Sequence, residues 1–177
     1  MGMSYLIFAL QHEKDCVMTL KAGDSLPQTT FMTMGENGPE PLDTAAVFKD
    51  KRVVLFAVPG AFTPTCSARH LPGFVEKADA IKAKGVDTIA CVSVNDVFVM
   101  NAWGKSQNGG DQVLMLADGN GDFAKEIGLT MDGTGFGMGL RSQRYAMIVK
   151  DGVVEDVFVE EPGSFEVSSA DYVLNKL

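Results

Sequence analysis

Histidine and cysteine are scarce in this chain, and the scarcity narrows its chemistry. Two histidines, His12 and His70, and three cysteines, Cys16, Cys66 and Cys91, occur in 177 residues. There is no C-x-x-C pair and no H-E-x-x-H, so neither a thioredoxin-type dithiol nor a zinc site is expected. An odd, widely spaced cysteine set argues against a secreted disulfide framework and for a reducing, cytoplasmic setting. Positive charge is short as well. Fifteen Lys and Arg against 23 Asp and Glu leave a net −8, which speaks against nucleic acid or an anionic membrane as partner. Long apolar runs are missing: Tyr5 to Leu10 cannot span a bilayer, has no basic residue ahead of it, and is followed by QHEKD instead of a cleavage site. Met1-Gly2 fails the myristoylation pattern because position 6 is Leu. Asp118, Asn120 and Asp122 alternate as in a calcium loop, yet Phe123 and Leu129 stand where glycine and glutamate are required. The glycines of GTGFGMG, residues 133 to 139, open no helix and make no nucleotide cradle, so a tight or mobile loop is expected.

What is present is one good core. With 46% hydrophobic residues the chain forms a single domain over 18–177, preceded by an extension, residues 1–17, that reads as a tail or an appended helix. Strands are predicted over Gln28 to Met34, Val53 to Val58, Asp87 to Val94 and Val113 to Ala117, with a turn at Gly35 to Pro41. Helices are predicted over Ser67 to Lys84, bent near Pro72-Gly73, and from an Asp96 cap to about Gln107. Asp122 is read as the N-cap of a helix over Phe123 to Gly128. Tyr145 to Val149 and Val153 to Val159 form a hairpin about Asp151-Gly152, and Ser168 to Leu177 a closing helix. Alternating strands and helices make an α/β sandwich.

One stretch organises the rest, VVLFAVPGAFTPTCSARH, residues 53 to 70. An apolar strand ends at Pro59-Gly60, crosses a Thr/Pro loop and reaches Cys66 where a helix begins. Unpaired N–H groups and the positive end of the helix dipole favour a thiolate there. A free cysteine with a pKa of about 8.5 is only roughly 3% thiolate at neutral pH, so deprotonation alone contributes at most about 30-fold. A fast reaction therefore also needs donors fixed around the sulfur. Thr63, three residues earlier, is a hydroxyl within reach, and Pro59 stiffens and shields the loop. Arg144, just before the buried strand YAMIV, reads on its own as a strand-end salt bridge, although a buried strand could hold a rigid guanidinium beside the sulfur. His70, four residues after Cys66, could form a Cys–His dyad, although a hydrogen-bonded packing histidine is the favoured reading. Cys91, inside an apolar run, reads as core, and Trp103 as core or interface.

Pro59, Thr63 and Cys66 spell P-x-x-x-T-x-x-C, and PGAFTPTCS followed by HLPGF resembles the active-site loop of the peroxiredoxins, in the type-five branch. The likeness continues through CVSVND, residues 91 to 96, and RYAMIVKDGVV, residues 144 to 154, and covers about residues 18 to 177. It implies a thioredoxin-like fold with a central mixed sheet flanked by helices, and reduction of hydrogen peroxide and alkyl hydroperoxides through a Cys66 sulfenic acid with no metal or organic cofactor. Cys66 would be the peroxidatic cysteine, Thr63 and Pro59 its loop partners, and Arg144 the arginine that accompanies the sulfur. Two-cysteine members of the branch carry a resolving cysteine near the C-terminus, whereas residues 160 to 177 contain none. That favours a one-cysteine cycle resolved by glutathione and glutaredoxin; thioredoxin, with Cys16 as resolving thiol, is the alternative. The resemblance also implies a noncovalent homodimer. Two other classes compete: a cysteine-dependent hydrolase using Cys66 and His70, and a noncatalytic redox-binding module.

Overall fold

The computed structural model describes residues 18–109 and 111–177. The extension, with His12 and Cys16, lies outside them. The described residues form nine strands and five α-helices: β1 Thr30–Gly35, β2 Gly38–Asp43, α1 Thr44–Phe48, β3 Arg52–Ala57, α2 Leu71–Ala83, β4 Thr88–Ser93, α3 Val97–Ser106, β5 Leu114–Ala117, α4 Asp122–Glu126, β6 Thr130–Asp132, β7 Leu140–Ser142, β8 Tyr145–Lys150, β9 Val153–Val159 and α5 Ala170–Leu174. Seven strands form one sheet in the order β2-β1-β5-β4-β3-β8-β9, and β6 pairs with β7 apart from it. β4 runs parallel to both β3 and β5, while β1, β2, β8 and β9 meet their neighbours antiparallel. The sheet is mixed and covered on both sides, as the resemblance implied.

Period-two alternation in β3 explains the layers. Val54, Phe56 and Val58 face one core with Cys66, Phe74, Ile81, Met100 and Trp103, beneath α2, α3 and α5. Val53, Leu55 and Ala57 face the other, with Val47, Phe48, Phe123 and Ile127 from α1 and α4. Fully burying a side chain of this size stabilises by about 1.5–3 kcal/mol, so a strand apolar on both faces is the natural centre of the sheet.

Four expectations change. The segment read as a turn at Gly35 to Pro41 is a hairpin whose second strand, β2, contains Pro39 and Pro41; proline hides a strand from propensity but is tolerated at an edge. The N-cap of α4 is left-handed Gly121, with Asp122 already the first helical residue; the side-chain acceptor for the helix start is Asp118, which accepts from the Phe123 and Ala124 N–H groups at 3.1 and 3.0 Å. Strands β6 and β7, three residues each, flank the GTGFGMG loop and are too short to show alternation. The closing helix is only Ala170–Leu174, with Ser169 accepting from Tyr172 N–H. Trp103 is core, its Nε1–H donating to Ser67 Oγ at 2.9 Å.

Candidate active site

The helix that follows the Thr/Pro loop does not begin as expected. Cys66–His70 is a π-helical turn in which Leu71 N–H reaches back to the Cys66 carbonyl, and α2 starts only after it. Pro72, one residue into α2, has no N–H to return to the preceding turn, and the widened turn is how the helix accommodates that lost donor. Cys66 and His70 are both completely buried, at 0% exposure. Pro59, Thr65 and Arg144 together line a cavity of about 620 Å³.

The loop ahead of Cys66 is held from behind. Ala61 N–H donates to Asn95 Oδ1 at 3.0 Å, and Ser93 Oγ lies 2.6 Å from the same oxygen and 3.2 Å from the Val58 carbonyl. Phe62 takes a left-handed conformation, φ 63°, which brings the chain round to Thr63. Its hydroxyl sits 2.7 Å from the Gly60 carbonyl and 2.8 Å from Cys66 Sγ. It has one hydrogen. Beside a thiol it can donate to the carbonyl; beside a thiolate it can turn to the sulfur.

The second donor comes from across the sheet. Arg144, immediately before β8, donates from Nη2 to Cys66 Sγ at 3.2 Å. Its Nη1 meets His70 Nδ1 at 2.8 Å, and His70 Nε2 meets the Ser168 carbonyl at 2.9 Å. A guanidinium only donates and a carbonyl only accepts, so His70 is neutral, with its proton on Nε2 and its lone pair toward Arg144. Burial, reinforced by Arg144 and opposed by the Ser168 hydrogen bond, lowers its pKa to about 3. Both ring nitrogens are engaged away from Cys66, and the geometry required for a Cys–His hydrolase is not present. The hydrogen-bonded reading of His70 holds. Phe165 packs edge-on to the imidazole at 5.0 Å, with the Arg69 and Arg144 guanidinium carbons 4.8 and 5.8 Å from its ring centre.

The chain thus gathers Cys66, Thr63 and Arg144 at one point and sets Pro59 in the wall beside them. The redoxin family model matches residues 21–174. Peroxiredoxin-2B of Arabidopsis thaliana is 47% identical over 161 residues, spanning 89% of this chain and 98% of that one. The chain belongs to the peroxiredoxins. Chloroplastic peroxiredoxin-2E-2 of Oryza sativa subsp. japonica is 48% identical over 166 residues, 91% of this chain and 74% of that protein. The crystal structure of reduced Prx3 from Vibrio vulnificus in complex with hydrogen peroxide matches with TM-score 0.86 and 54% identity, over 89% of this chain and 99% of that one. As a peroxiredoxin, the chain is a thiol peroxidase with the thioredoxin-like fold of its neighbours.

The sequence reading did not single out the supports of this peroxiredoxin site. Asn95 and Ser93 stood in the quoted CVSVND string, but nothing in a linear string shows that they brace a loop more than 30 residues upstream. Glu160, Phe165 and Ser168 gave no signal. Cys91 lies mid-strand, paired with Phe56 and Met115 on either side, and burial pushes its thiol well above the ordinary range.

Proposed function

We propose that Cys66 is the nucleophile of this thiol peroxidase, acting on hydrogen peroxide and alkyl hydroperoxides. The observation that carries the reading is the pair of donors at the sulfur, Thr63 Oγ1 at 2.8 Å and Arg144 Nη2 at 3.2 Å. The thiolate attacks the distal peroxide oxygen; the S–O bond forms as the O–O bond breaks, and the departing oxygen leaves as water or alcohol after taking a proton. Thr63 and Arg144, which stabilise sulfur negative charge before attack, are placed to stabilise the negative charge growing on the peroxide oxygens. Pro59 keeps the loop rigid at the cavity wall. The product is Cys66 sulfenic acid.

The cycle is completed by an external thiol, with glutathione and glutaredoxin as the reductant: the thiol condenses with the sulfenic acid to a mixed disulfide and water, and a second thiol releases Cys66. Residues 160 to 177 hold no cysteine, and Cys91 is fully buried with its thiol pushed above the ordinary range, so it is a poor nucleophile; both support an external resolving thiol. The chain also self-associates as a homodimer. Phe62 and Phe98 are 56% and 64% exposed, and the Ala61–Asn95 bond draws their segments together on the face that carries the site, giving a second copy an apolar contact.

One experiment tests the cysteine assignments. Reduced protein given one equivalent of hydrogen peroxide gains one oxygen at Cys66 within seconds, the Cys16→Ser, Cys91→Ser double variant keeps most turnover with glutathione and glutaredoxin, and Cys66→Ser keeps none. First oxidation at Cys91 or Cys16 would remove Cys66 from its role. A Cys16–Cys66 disulfide as the main product at low peroxide would replace the one-cysteine cycle with a thioredoxin-linked one.

A further inference from the structure

A ring of hydrogen bonds begins and ends on Arg144. Glu160, the first residue after β9, donates its N–H to the Arg144 carbonyl at 3.0 Å. Its carboxylate turns inward, and Oε1 accepts from Glu166 N–H at 2.7 Å, Ser168 N–H at 2.8 Å and Ser168 Oγ at 2.8 Å. The Ser168 carbonyl accepts from His70 Nε2, and His70 Nδ1 accepts from Arg144 Nη1. Glu160 is 7% exposed, and Ser168 and His70 are fully buried. The peroxide step uses no carboxylate. A buried one that draws three donors from a single segment and closes a ring through the arginine at the sulfur calls for a reason.

We propose that Glu160 is a positioning residue for peroxide reduction: it holds Ser168 so that the Ser168 carbonyl fixes the His70 tautomer, and His70 then orients the Arg144 guanidinium toward Cys66. The inference rests on the reading of Cys66 and Arg144 above. Its physical content is the polarity of each link. A neutral imidazole has one N–H and one lone pair. With the Ser168 carbonyl in place, the N–H is committed to Nε2 and the lone pair must face Arg144. If that carbonyl moves away, the other tautomer becomes accessible and points an N–H at a guanidinium N–H, a contact with two donors and no acceptor.

The segment from Glu161 to Ser168 needs such a hold. It contains Pro162 and left-handed Gly163, φ 80°, and its one internal backbone bond is Ser164 N–H to Glu161 O at 2.9 Å. The Glu160 carboxylate ties its far end to the residue paired with Arg144. The backbone of Arg144 and its guanidinium are therefore referenced to the same side chain. Placement within a fraction of an ångström governs such donors, and a misplacement of about 1 Å can cost 10²-fold in rate.

The test compares Glu160→Ala, Glu160→Gln and Glu160→Asp in the full chain, reading two independent quantities. The first is the second-order rate constant for Cys66 oxidation by hydrogen peroxide. The second is the His70 tautomer, from ¹⁵N NMR of the imidazole with His12 replaced by Gln. Glutamine offers a neutral oxygen with two lone pairs at the same place and can keep the bonds from the Ser168 and Glu166 N–H groups, so Glu160→Gln should keep the Nε2–H tautomer and a rate within about threefold of wild type. Glu160→Ala should lose the single-tautomer signature and about tenfold in rate. Glu160→Asp keeps the charge but retracts the acceptor, and covers the case in which the alanine variant fails to fold; it should mix tautomers and slow in parallel. A folded alanine or aspartate variant with wild-type rate overturns the proposal, as does a slow variant whose His70 still shows only the Nε2–H tautomer. Wild-type protein that is not oxidised at Cys66 would instead overturn the reading of Cys66, while the NMR arm still reports on the ring itself.

Discussion

Acid should weaken this protein through His70 in a range where ordinary carboxylates are still ionised. The imidazole has a pKa lowered to about 3 in the fold against 6.5 in the unfolded chain, so between those values the unfolded chain holds one proton more than the native one. A depressed native pKa means that the stability it supports is fully present above the unfolded value and is lost as pH falls toward the folded one. Each pH unit of full difference corresponds to about 1.4 kcal/mol, and, allowing for partial titration near the upper end, the loss from pH 6.5 to 4.5 is about 2 kcal/mol. The perturbation that isolates it is His70→Asn, which keeps an acceptor near Arg144 and cannot titrate. Asp118, which desolvation pushes up, has the opposite sign, since its native carboxyl binds a proton more readily than in the unfolded chain. It is common to both proteins and cancels in the comparison. In urea titrations at one protein concentration, with a slope of about 2 kcal/mol per molar, wild type should lose about 1 M more in midpoint than His70→Asn over that range. Equal losses in the two proteins would show that His70 is not held neutral by the fold, and the tautomer argument would go with it.

Arg144→Met should slow Cys66 oxidation by roughly 10²-fold, as expected for a donor worth about 3 kcal/mol to the transition state; stopped-flow rates within about threefold of wild type would remove Arg144 from the chemistry. Phe98→Asp, at an exposed position where the fold tolerates charge, should shift the proposed homodimer toward monomer in sedimentation velocity at micromolar concentration. An unchanged dimer would place self-association on another face.

The sheet was legible because its strands carry their signal locally. Val53 to Val58 is apolar on both faces, and that reads as a central strand before any partner is known; Asp96 ahead of Phe98 reads as a cap, and it accepts from Val99 N–H at 2.9 Å. Cys66, Thr63 and Pro59 were legible because three positions within eight residues carry the motif. Arg144 could be placed only by resemblance, since no local pattern ties it to a cysteine 78 residues away. Glu160 and Ser168 were illegible for a further reason. Their role exists only where three distant segments meet, and each residue alone is an ordinary polar residue in a loop. The Asp122 reading failed because an aspartate in a turn reads as a cap on its own, whereas left-handed Gly121 is the N-cap and the acceptor comes from Asp118, outside the local cap pattern.

Strand β2 has a consequence beyond its own hairpin. Alternate residues of a strand direct their N–H groups to the same side, so Pro39 and Pro41 strip donors from a single margin of β2, and its intact register with β1 over all its residues shows that this margin is the outer one. Another chain laid along it would find carbonyls with nothing to offer in return. At the opposite margin, β9 carries Glu155 and Asp156 in mid-strand, with Glu155 bound by Arg52 at 3.1 Å. Both borders of the sheet are thereby closed to strand-by-strand growth, an ordered route to fibres that a seven-stranded sheet would otherwise leave open. Strand addition is thus barred at the two places where a sheet is most easily extended, and the protein keeps its seven strands to itself.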